Sequence, residues 1–409
     1  MKYVILLADG MADYPLDLLG GETPLEYART PHMDRMASRG TLGLIDTIPQ
    51  GLPAGSDVAN LAVLGYDPGV CYTGRGPLEA ANMGIALSPE DVAFRCNLVT
   101  LSDSADPVMD DFTAGHISSA EARRIIIDLD KGIGSETFRF YPGVGYRHLL
   151  VWKGGKADLA TIPPHDITGK AAGPHLPQGE GAEQIKRLMR LSREFLAYHP
   201  VNRERRDRGM KQATSIWLWG QGRRPRMRNF AEKYRLRGGV ISAVDLLNGI
   251  GVSAGLEVLQ VEGATGYTDT NYLGKAEKAL SALKELDLVF AHVEAPDEMG
   301  HEGNVEGKIK AIEDFDEKVV GTVLAGIGSL GAFRVVVLSD HPTPIRLKTH
   351  TGDPSPFAVL SSSSGENQAR GIAFGEREAV LTGNLISPGY LFMETFIGNW
   401  RGFLERNTR

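Results

Sequence analysis

The sequence contains few cysteines, no long apolar run and no excess of positive charge. Its 409 residues include two cysteines, Cys71 and Cys96, which cannot build a disulfide framework and fit a reducing compartment. No apolar run reaches the ~20 residues that a membrane-spanning helix needs. The net charge of -7 excludes the basic surface that is typical of nucleic-acid-binding proteins. We therefore expect a cytoplasmic protein whose partners include neither nucleic acid nor a membrane.

The first apolar run is too short for a secretion signal. It follows Lys2, covers residues 3–8 and ends in Asp9 and Gly10, without a small-residue cleavage site. This pattern is typical of a buried strand that ends in an acidic turn.

Short apolar runs alternate with helical patterns along the chain. The runs 3–8, 288–293 and 335–338 are continuously hydrophobic, which is typical of parallel strands buried on both faces. Helices are predicted over 30–38 and 271–286, where apolar residues recur in helical phase. The alternation predicts an α/β fold with a mostly parallel central sheet flanked by helices.

The length of the chain favours two domains. Residues 111–213 differ from the rest, with basic, Pro- and His-containing stretches such as "TIPPHDITGK" and a helix predicted over 180–198. The segment "TSIWLWG" at 214–220 is interpreted as a strand that returns to the first domain. We therefore predict a core domain of residues 1–110 and 214–409, with a smaller α+β domain inserted at 111–213.

Carboxylate and imidazole side chains follow three of the predicted strands. They are Asp9; Asp297 and His301; and Asp340, His341 and His350. Singly, each has an ordinary explanation as a cap or loop residue. Because reactive groups in open α/β sheets gather beyond the carboxyl ends of the strands, we expect this set to converge. Three carboxylates and three imidazoles suit two ions of Mn²⁺, Zn²⁺ or Mg²⁺.

A candidate nucleophile lies in "GLPAGSDVANLAVLGYDP". Ser56 precedes residues 58–64, which are predicted to form a helix. A serine at this position is typical of an N-cap. The alternative is that its hydroxyl faces the metal site and attacks a phosphoryl group, whose charge the helix N-terminus would help to neutralise.

Several motifs in order resemble a known family. "ADG", "ARTPHMDRMASRG", "GSDVANLAVLGYDP", "PDEMGHEG", "LSDHPTP" and "THTGDPSPF" are similar to motifs of the alkaline phosphatase superfamily. More narrowly, they resemble the archaeal-type phosphoglycerate mutases that are independent of 2,3-bisphosphoglycerate. The resemblance extends over nearly the whole chain, including "YTGRGPLEA", "DFTAGHIS" and "ATSIWLWGQG". It implies an alkaline-phosphatase-like core.

The resemblance implies a two-metal site without 2,3-bisphosphoglycerate as cofactor. One ion would be held by Asp297, His301 and His350, and the other by Asp9, Ser56, Asp340 and His341. Mn²⁺ is the expected ion, with Mg²⁺, Zn²⁺ and Co²⁺ as alternatives. Ser56 would accept the phosphoryl group.

The resemblance also implies substrate-binding groups. Arg223 and Arg226 in "GQGRRPRMR" have the Arg-x-x-Arg spacing expected of a phosphate-binding pair, and an exposed basic loop is the alternative. The inserted domain is expected to supply His116 as a proton donor and acceptor. Its further substrate-binding candidates are Arg147, His165 and Asp166.

The implied reaction interconverts 3-phosphoglycerate and 2-phosphoglycerate through a phosphoserine, a step of glycolysis and gluconeogenesis. Two enzymatic alternatives share the fold: a homoserine kinase-like phosphotransferase and a metal-dependent phosphatase. The metal site does not distinguish them. An inactive metal-binding relative is disfavoured, because no ligand position is missing. The sequence leaves the oligomeric state open.

Overall fold

The structure is a computed structural model that describes residues 1–362, 371–398, 400, 402 and 403. The chain divides into two compact units. Unit 1 comprises Met1–Tyr72 and Arg226–Arg409, and unit 2 comprises Thr73–Pro225. No helix among the described residues is both long and apolar enough to cross a membrane.

Fifteen strands are assigned within the described residues. In chain order, β1 to β15 are Lys2–Ala8, Thr41–Ile45, Val92–Leu101, Met109–Asp111, Phe138–Val144, Arg147–Trp152, Leu159–Ala160, Gln178–Gly179, Ser215–Gly222, Gly238–Ile241, Glu257–Val258, Leu288–Val293, Phe333–Leu338, Ser355–Ser361 and Leu385–Ile386.

The α-helices of the same residues are numbered in the same way. In chain order, α1 to α16 are Pro24–Tyr27, Pro31–Arg39, Ser56–Val63, Pro68–Cys71, Arg75–Asn82, Ser119–Ile133, Ala182–Ala197, Pro200–Asp207, Phe230–Tyr234, Asp245–Ala254, Tyr272–Ala282, Ala295–Glu302, Val305–Asp314, Thr322–Ile327, Glu376–Leu381 and Phe392–Ile397. A π-helical stretch, Phe315–Gly321, joins α13 to α14.

Unit 1 is built on an eight-stranded sheet in the order β11-β10-β12-β1-β13-β14-β2-β15. All neighbouring strands are parallel except β14, which is antiparallel to β13 and β2. The central strands are buried on both faces, as their continuous apolar runs predicted. The predicted α/β class with a mostly parallel sheet is therefore confirmed.

The three strands that carry the acidic and imidazole motifs are adjacent. β1 pairs in parallel with β12 on one side and with β13 on the other, with Ala8 beside Val293 and Leu7 beside Leu338. Parallel neighbours in this register end at the same edge of the sheet. The loops that follow them therefore begin side by side.

Unit 2 has a sheet of its own, in which β3 pairs with β4, β6 and β9 and β6 pairs with β5, all antiparallel. Helices α6 and α7 bury their apolar faces in the same core as this sheet. The unit is an α+β assembly.

The units differ from the predicted domains at both boundaries. Unit 2 begins at Thr73 rather than 111 and ends at Pro225 rather than 213. The reason is the pairing of β3 with β9, which places residues 92–101 and 215–222 in one sheet. The interpretation of "TSIWLWG" as a strand returning to the first domain was therefore wrong.

Candidate active site

The predicted metal ligands converge in unit 1, at the carboxyl ends of β1, β12 and β13. Two groups have ligand atoms that all lie within 4.8 Å of one another. We call Asp297, His301 and His350 cluster A, and Asp9, Asp340 and His341 cluster B.

Cluster A combines a helix and a loop. Asp297 and His301 lie one turn apart on α12, and His301 Nε2 is 3.1 Å from Asp297 Oδ2. The loop after β13 brings His350 Nε2 to 2.9 Å from His301 Nε2 and 3.5 Å from Asp297 Oδ1. His301 Nδ1 lies 3.0 Å from the carbonyl oxygen of Lys348, an acceptor that fixes a proton on Nδ1 and directs Nε2 at the cluster.

Cluster B is buried completely. Asp9, Asp340 and His341 each have no exposed surface. His341 Nε2 lies 3.4 Å from Asp9 Oδ1 and 3.6 Å from Asp340 Oδ2. Asp340 is held in place by the amide of Asn60, which donates to Oδ2 at 2.9 Å, and by the backbone N–H of Gly10, which donates to Oδ1 at 3.1 Å.

Ser56 lies beside cluster B. Its Oγ is 3.2 Å from His341 Nε2 and 3.4 Å from Asp9 Oδ1, and the residue is 8% exposed. It is the first residue of α3, whose N-cap is Gly55. The hydroxyl makes no capping bond to the helix, so the N-cap interpretation does not hold. The side chain is directed into the cluster instead.

Two further residues of this site were missed by sequence reasoning. His292 Nε2 lies 2.8 Å from Asp9 Oδ2 and 3.3 Å from Glu294 Oε2, and the three residues form another group of converging ligand atoms. His292 is buried in the apolar strand β12. A single histidine within such a run does not change the pattern that predicts a strand, so the sequence does not mark it as a site residue. Burial lowers the pKa of His292 well below its usual range.

The site concentrates negative charge away from water. Burial, with the neighbouring carboxylates Asp340 and Glu294, raises the pKa of Asp9 well above its usual range. Burial likewise raises the pKa of Glu294. In cluster A burial acts to raise the pKa of Asp297, but hydrogen bonds with the two histidines hold it well below its usual range, and the same carboxylate raises the pKa of His301 to about 9.

These residues fit divalent metal ions. Crowded buried carboxylates are stable when cations compensate their charge, and the nearby imidazoles supply neutral nitrogen donors. The mixture of oxygen and nitrogen donors is the one that Mn²⁺ and Zn²⁺ accept. Both clusters therefore have the composition and the spacing of metal sites.

The candidates of the predicted inserted domain lie in unit 2. His116 is exposed, with a positive φ of 47°, and its N–H donates to Thr113 Oγ1 at 2.9 Å. Arg147 is half-buried at the start of β6. The exposed His165 ring lies 5.4 Å from the ring of Trp219, and the exposed Asp166 carboxylate is 3.7 Å from His165 Nε2.

The Arg-x-x-Arg pair is divided between the units. Arg223 belongs to unit 2, where its guanidinium donates to the carbonyl of Gly155 at 3.0 Å and to Glu90 Oε2 at 3.1 Å. Arg226 belongs to unit 1 and is exposed. These contacts give Arg223 a structural role within unit 2.

Sequence reasoning also missed a buried arginine on the sheet of unit 2. The guanidinium of Arg95 lies 4.4 Å over the ring of Trp219, and its Nε is 2.9 Å from Glu79 Oε1. Burial lowers the pKa of Arg95, the charge of Glu79 opposes this, and the charges of Arg75 and Arg147 lower the pKa further. A group of like charges of this kind is typical of anion-binding surfaces.

Comparison with known proteins gives a consistent result along the chain. The family model for 2,3-bisphosphoglycerate-independent phosphoglycerate mutase matches residues 37–202. A relative from Geobacter sulfurreducens, named as a probable enzyme of this kind, is 55% identical over 97% of this chain and 100% of its own length. A relative from Methanosarcina barkeri with the same enzyme name is 53% identical over 93% of this chain and 95% of its own length.

Solved structures agree with the fold. A protein from Pyrococcus horikoshii is 30% identical, with a TM-score of 0.81 over 99% of this chain and 97% of that chain. A cofactor-independent phosphoglycerate mutase from Thermoplasma acidophilum is 26% identical, with a TM-score of 0.65 over 97% of this chain and 99% of that chain. With relatives more than half identical over nearly their whole length, the chain belongs to the 2,3-bisphosphoglycerate-independent phosphoglycerate mutases.

Proposed function

We propose that this protein interconverts 3-phosphoglycerate and 2-phosphoglycerate through a phosphoserine formed on Ser56, with two divalent metal ions bound at clusters A and B. Family membership supports the reaction, since the relatives compared above are named for it. The observation that carries the mechanism is the position of the Ser56 hydroxyl, buried against cluster B and free of any capping bond.

The chain itself prepares Ser56 for attack. The imidazole of His341 and the carboxylate of Asp9 lie within hydrogen-bond reach of its Oγ, so both hold the hydroxyl beside cluster B. The N-terminus of α3 places backbone N–H groups and a partial positive charge where the transferred phosphoryl group would lie. Two divalent ions, when bound, would stabilise the charge of the attacking and leaving oxygens.

The reaction then has two half-steps. The bond from Ser56 Oγ to phosphorus forms as the bond from phosphorus to the glycerate oxygen breaks, and the released alkoxide takes a proton. The other hydroxyl of the same glycerate next gives up a proton and attacks the phosphorus. The bond from phosphorus to Ser56 Oγ then breaks, and the serine recovers a proton. We assign the proton exchange with glycerate to His116, because imidazole both donates and accepts near neutral pH.

Unit 2 is proposed to hold glycerate while it reorients. The arginines near Arg95, with the rings of Trp219 and His165, offer a cationic and partly aromatic surface suited to a carboxylate. Arg147, His165 and Asp166 are the proposed substrate contacts of this unit, and Arg226 is the proposed contact from unit 1. Arg223 has a weaker claim, because its guanidinium already binds Glu90 and Gly155.

We propose Mn²⁺ as the working ion, with Mg²⁺, Zn²⁺ and Co²⁺ as alternatives, and no 2,3-bisphosphoglycerate. The mixed carboxylate and imidazole donors support this choice. The two buried free thiols, Cys71 and Cys96, are consistent with work in the reducing cytoplasm.

Phosphorus NMR of the interconversion tests the proposal. With Mn²⁺ and 3-phosphoglycerate, the wild-type protein should produce 2-phosphoglycerate, and Ser56→Ala should lose at least ~1,000-fold in rate, because a covalent route cannot proceed without its nucleophile. Ser253→Ala is the control, since Ser253 bonds only to Gly249 of its own helix. Near-wild-type activity in Ser56→Ala would exclude the phosphoserine.

A second arm supplies ATP and homoserine in place of phosphoglycerate. Phosphorylation of homoserine without mutase activity would decide for the kinase alternative. Steady release of inorganic phosphate from phosphoglycerate, without the isomer, would identify a phosphatase.

A further inference from the structure

Thr343 lies between the two metal clusters. The sequence alone indicated only its neighbours Asp340 and His341 as candidate ligands. It follows His341 by two residues and is fully buried. Its Oγ1 is 2.5 Å from Asp297 Oδ1 and 3.3 Å from His341 Nδ1. One hydroxyl therefore contacts a candidate ligand of cluster A and a candidate ligand of cluster B.

The chemistry of the partners fixes the direction of both hydrogen bonds. An ionised carboxylate only accepts, so the Thr343 hydroxyl donates its proton to Asp297. The oxygen of Thr343 then has only lone pairs to offer His341, so Nδ1 of that ring carries the proton and donates it. The Nε2 lone pair is left facing Ser56 and Asp9.

This tautomer is the one that the site requires. Nε2 of His341 is the ring nitrogen within cluster B, 3.4 Å from Asp9 Oδ1 and 3.2 Å from Ser56 Oγ. A proton on Nε2 would prevent that nitrogen from binding a cation. A hydrogen-bond acceptor opposite Nδ1 is the usual means of fixing the orientation and tautomer of a metal-binding histidine.

The backbone of Thr343 is itself fixed. Its N–H donates to the carbonyl of Ala12 at 3.1 Å, and its carbonyl accepts from Lys308 Nζ at 2.9 Å. Lys308 is fully buried, and its ammonium also donates to Asp13 Oδ2 at 2.7 Å and to Ala12 at 3.3 Å. The loop after β1 and the loop after β13 are thereby tied together at the point where Thr343 meets both clusters.

We propose that Thr343 is a positioning residue that fixes the Nδ1–H tautomer of His341 and the orientation of Asp297, and so couples the two clusters. The proposal rests on the two-ion site described under the proposed function. Both contacts of Thr343 are made by the chain itself, without a bound ion.

The first test compares Thr343→Val with Thr343→Ser. Valine has nearly the same shape but no hydroxyl, whereas serine keeps the hydroxyl. Titration with Mn²⁺, followed by the EPR signal of the free ion, should show both sites weakened by about 10–100-fold in Thr343→Val. Thr343→Ser should bind within about threefold of the wild type. The control is Thr30→Val, which removes a buried hydroxyl that bonds only to Asp34 of α2.

The outcomes separate positioning from simple loss of stability. Wild-type Mn²⁺ affinity at both sites in Thr343→Val would overturn the proposal, as would an equal loss in Thr30→Val. Failure of Thr343→Ser to restore binding would also overturn it, because the hydroxyl would then not be the determining group.

The second test needs no metal. In metal-free wild-type protein with ¹⁵N-labelled histidine, the ring signals of His341 are assigned by their loss in His341→Gln. The Nδ1–H tautomer is expected, and Thr343→Val should shift the ring towards the Nε2–H form. An Nε2–H tautomer in the wild type would overturn the proposal. Absence of Mn²⁺ binding by the wild type would instead contradict the two-ion function and leave the tautomer result to decide on Thr343.

Discussion

His350 and His341 lie nine residues apart in the same loop, yet they belong to different clusters. His350 faces Asp297 and His301, while His341 faces Asp9 and Asp340, and the two rings are 4.3 Å apart between centroids. A single loop therefore contributes to two proposed ions. At the scale of residues, this division predicts separable effects on metal binding.

We expect His341→Ala and His350→Ala each to reduce Mn²⁺ binding from two ions per chain to one, because each removes a donor from one cluster. Metal content after equilibrium dialysis measures the number. Adding His301→Ala to His350→Ala should change nothing further, whereas the double variant His341→Ala/His350→Ala should bind no ion tightly. Loss of both ions in His301→Ala/His350→Ala, with one ion retained in His341→Ala/His350→Ala, would contradict the assignment of these histidines to separate clusters.

Glu121 shows how a single side chain stabilises unit 2. Burial acts to raise its pKa, but hydrogen bonds from Ser118 and Arg208 and the charge of Arg205 lower it to about 2. The guanidinium of Arg205 is fully buried and 2.8 Å from Glu121 Oε2. A carboxylate whose pKa is depressed in the folded state stabilises the fold above its unfolded pKa, and this contribution is lost as the pH falls through the folded pKa.

Glu121→Gln should therefore lower the free energy of unfolding at pH 7 by roughly 1–2 kcal/mol, after allowance for solvent screening. The difference from wild type should shrink as the pH falls from 4.5 towards 2, because the protonated wild-type side chain then resembles glutamine. Urea unfolding across this range measures it. Glu136→Gln, at an exposed position, is the control. If the two proteins still differ by the same free energy of unfolding at the lowest pH, the charge of Glu121 is not the source of the stabilisation.

At the scale of elements, the turn after β1 determines how closely the strand ends approach one another. Gly10 has a φ of +58°, a conformation that side chains rarely adopt. A Cβ at this position would overlap Asp297 and the hydroxyl of Thr343. The absence of a side chain at Gly10 is therefore what allows the loop after β1 to pack against α12.

Gly10→Ala should weaken Mn²⁺ binding at least ~10-fold, because displacement of Asp297 alters cluster A. It should also destabilise the protein by more than the ~1–2 kcal/mol that backbone strain alone costs. Gly20→Ala is a matched control, since Gly20 has a φ of +69° and no neighbour within 4 Å of the added carbon. Calorimetry and Mn²⁺ titration measure the two effects. Equal losses of stability and of Mn²⁺ affinity in Gly10→Ala and Gly20→Ala would show that the contact with Asp297 is unimportant.

At the scale of the whole molecule, the proposed site residues are distributed over both units. Both clusters and Ser56 lie in unit 1, while the proposed carboxylate-binding arginines Arg95 and Arg147 lie in unit 2. Each unit has its own sheet and its own hydrophobic core. Ligands that bind only the folded state stabilise the part of the chain that holds them.

Hydrogen exchange with Mn²⁺ and with a chelator tests this division. Metal should slow exchange in the segments after β1, β12 and β13 and at the start of α3, since bound cations relieve the repulsion among the buried carboxylates. Exchange in the sheet of unit 2, from β3 to β9, should change little. Equal protection of both units would contradict the placement of all metal ligands in unit 1.

The sequence alone predicted the class of the fold and the candidate metal ligands, because both depend on local signals. Each buried parallel strand is a continuous apolar run, and a charged residue directly after such a run must lie at the carboxyl edge of the sheet. Asp9 and Asp340 were identified in this way, and Asp297 was identified in the segment that follows β12. The spacing of Asp297 and His301 followed from the helical period alone.

Tertiary structure decided what depends on contacts between distant segments. The pairing of β3 with β9, 120 residues apart, set the boundary of unit 2, and no local pattern records such a pairing. His292 lies inside an apolar strand and Thr343 in a loop, where neither residue type is unusual. Their roles arise only when folding brings Asp9, Asp297 and His341 within hydrogen-bond distance of them, because a hydrogen bond depends on position and direction rather than on sequence spacing.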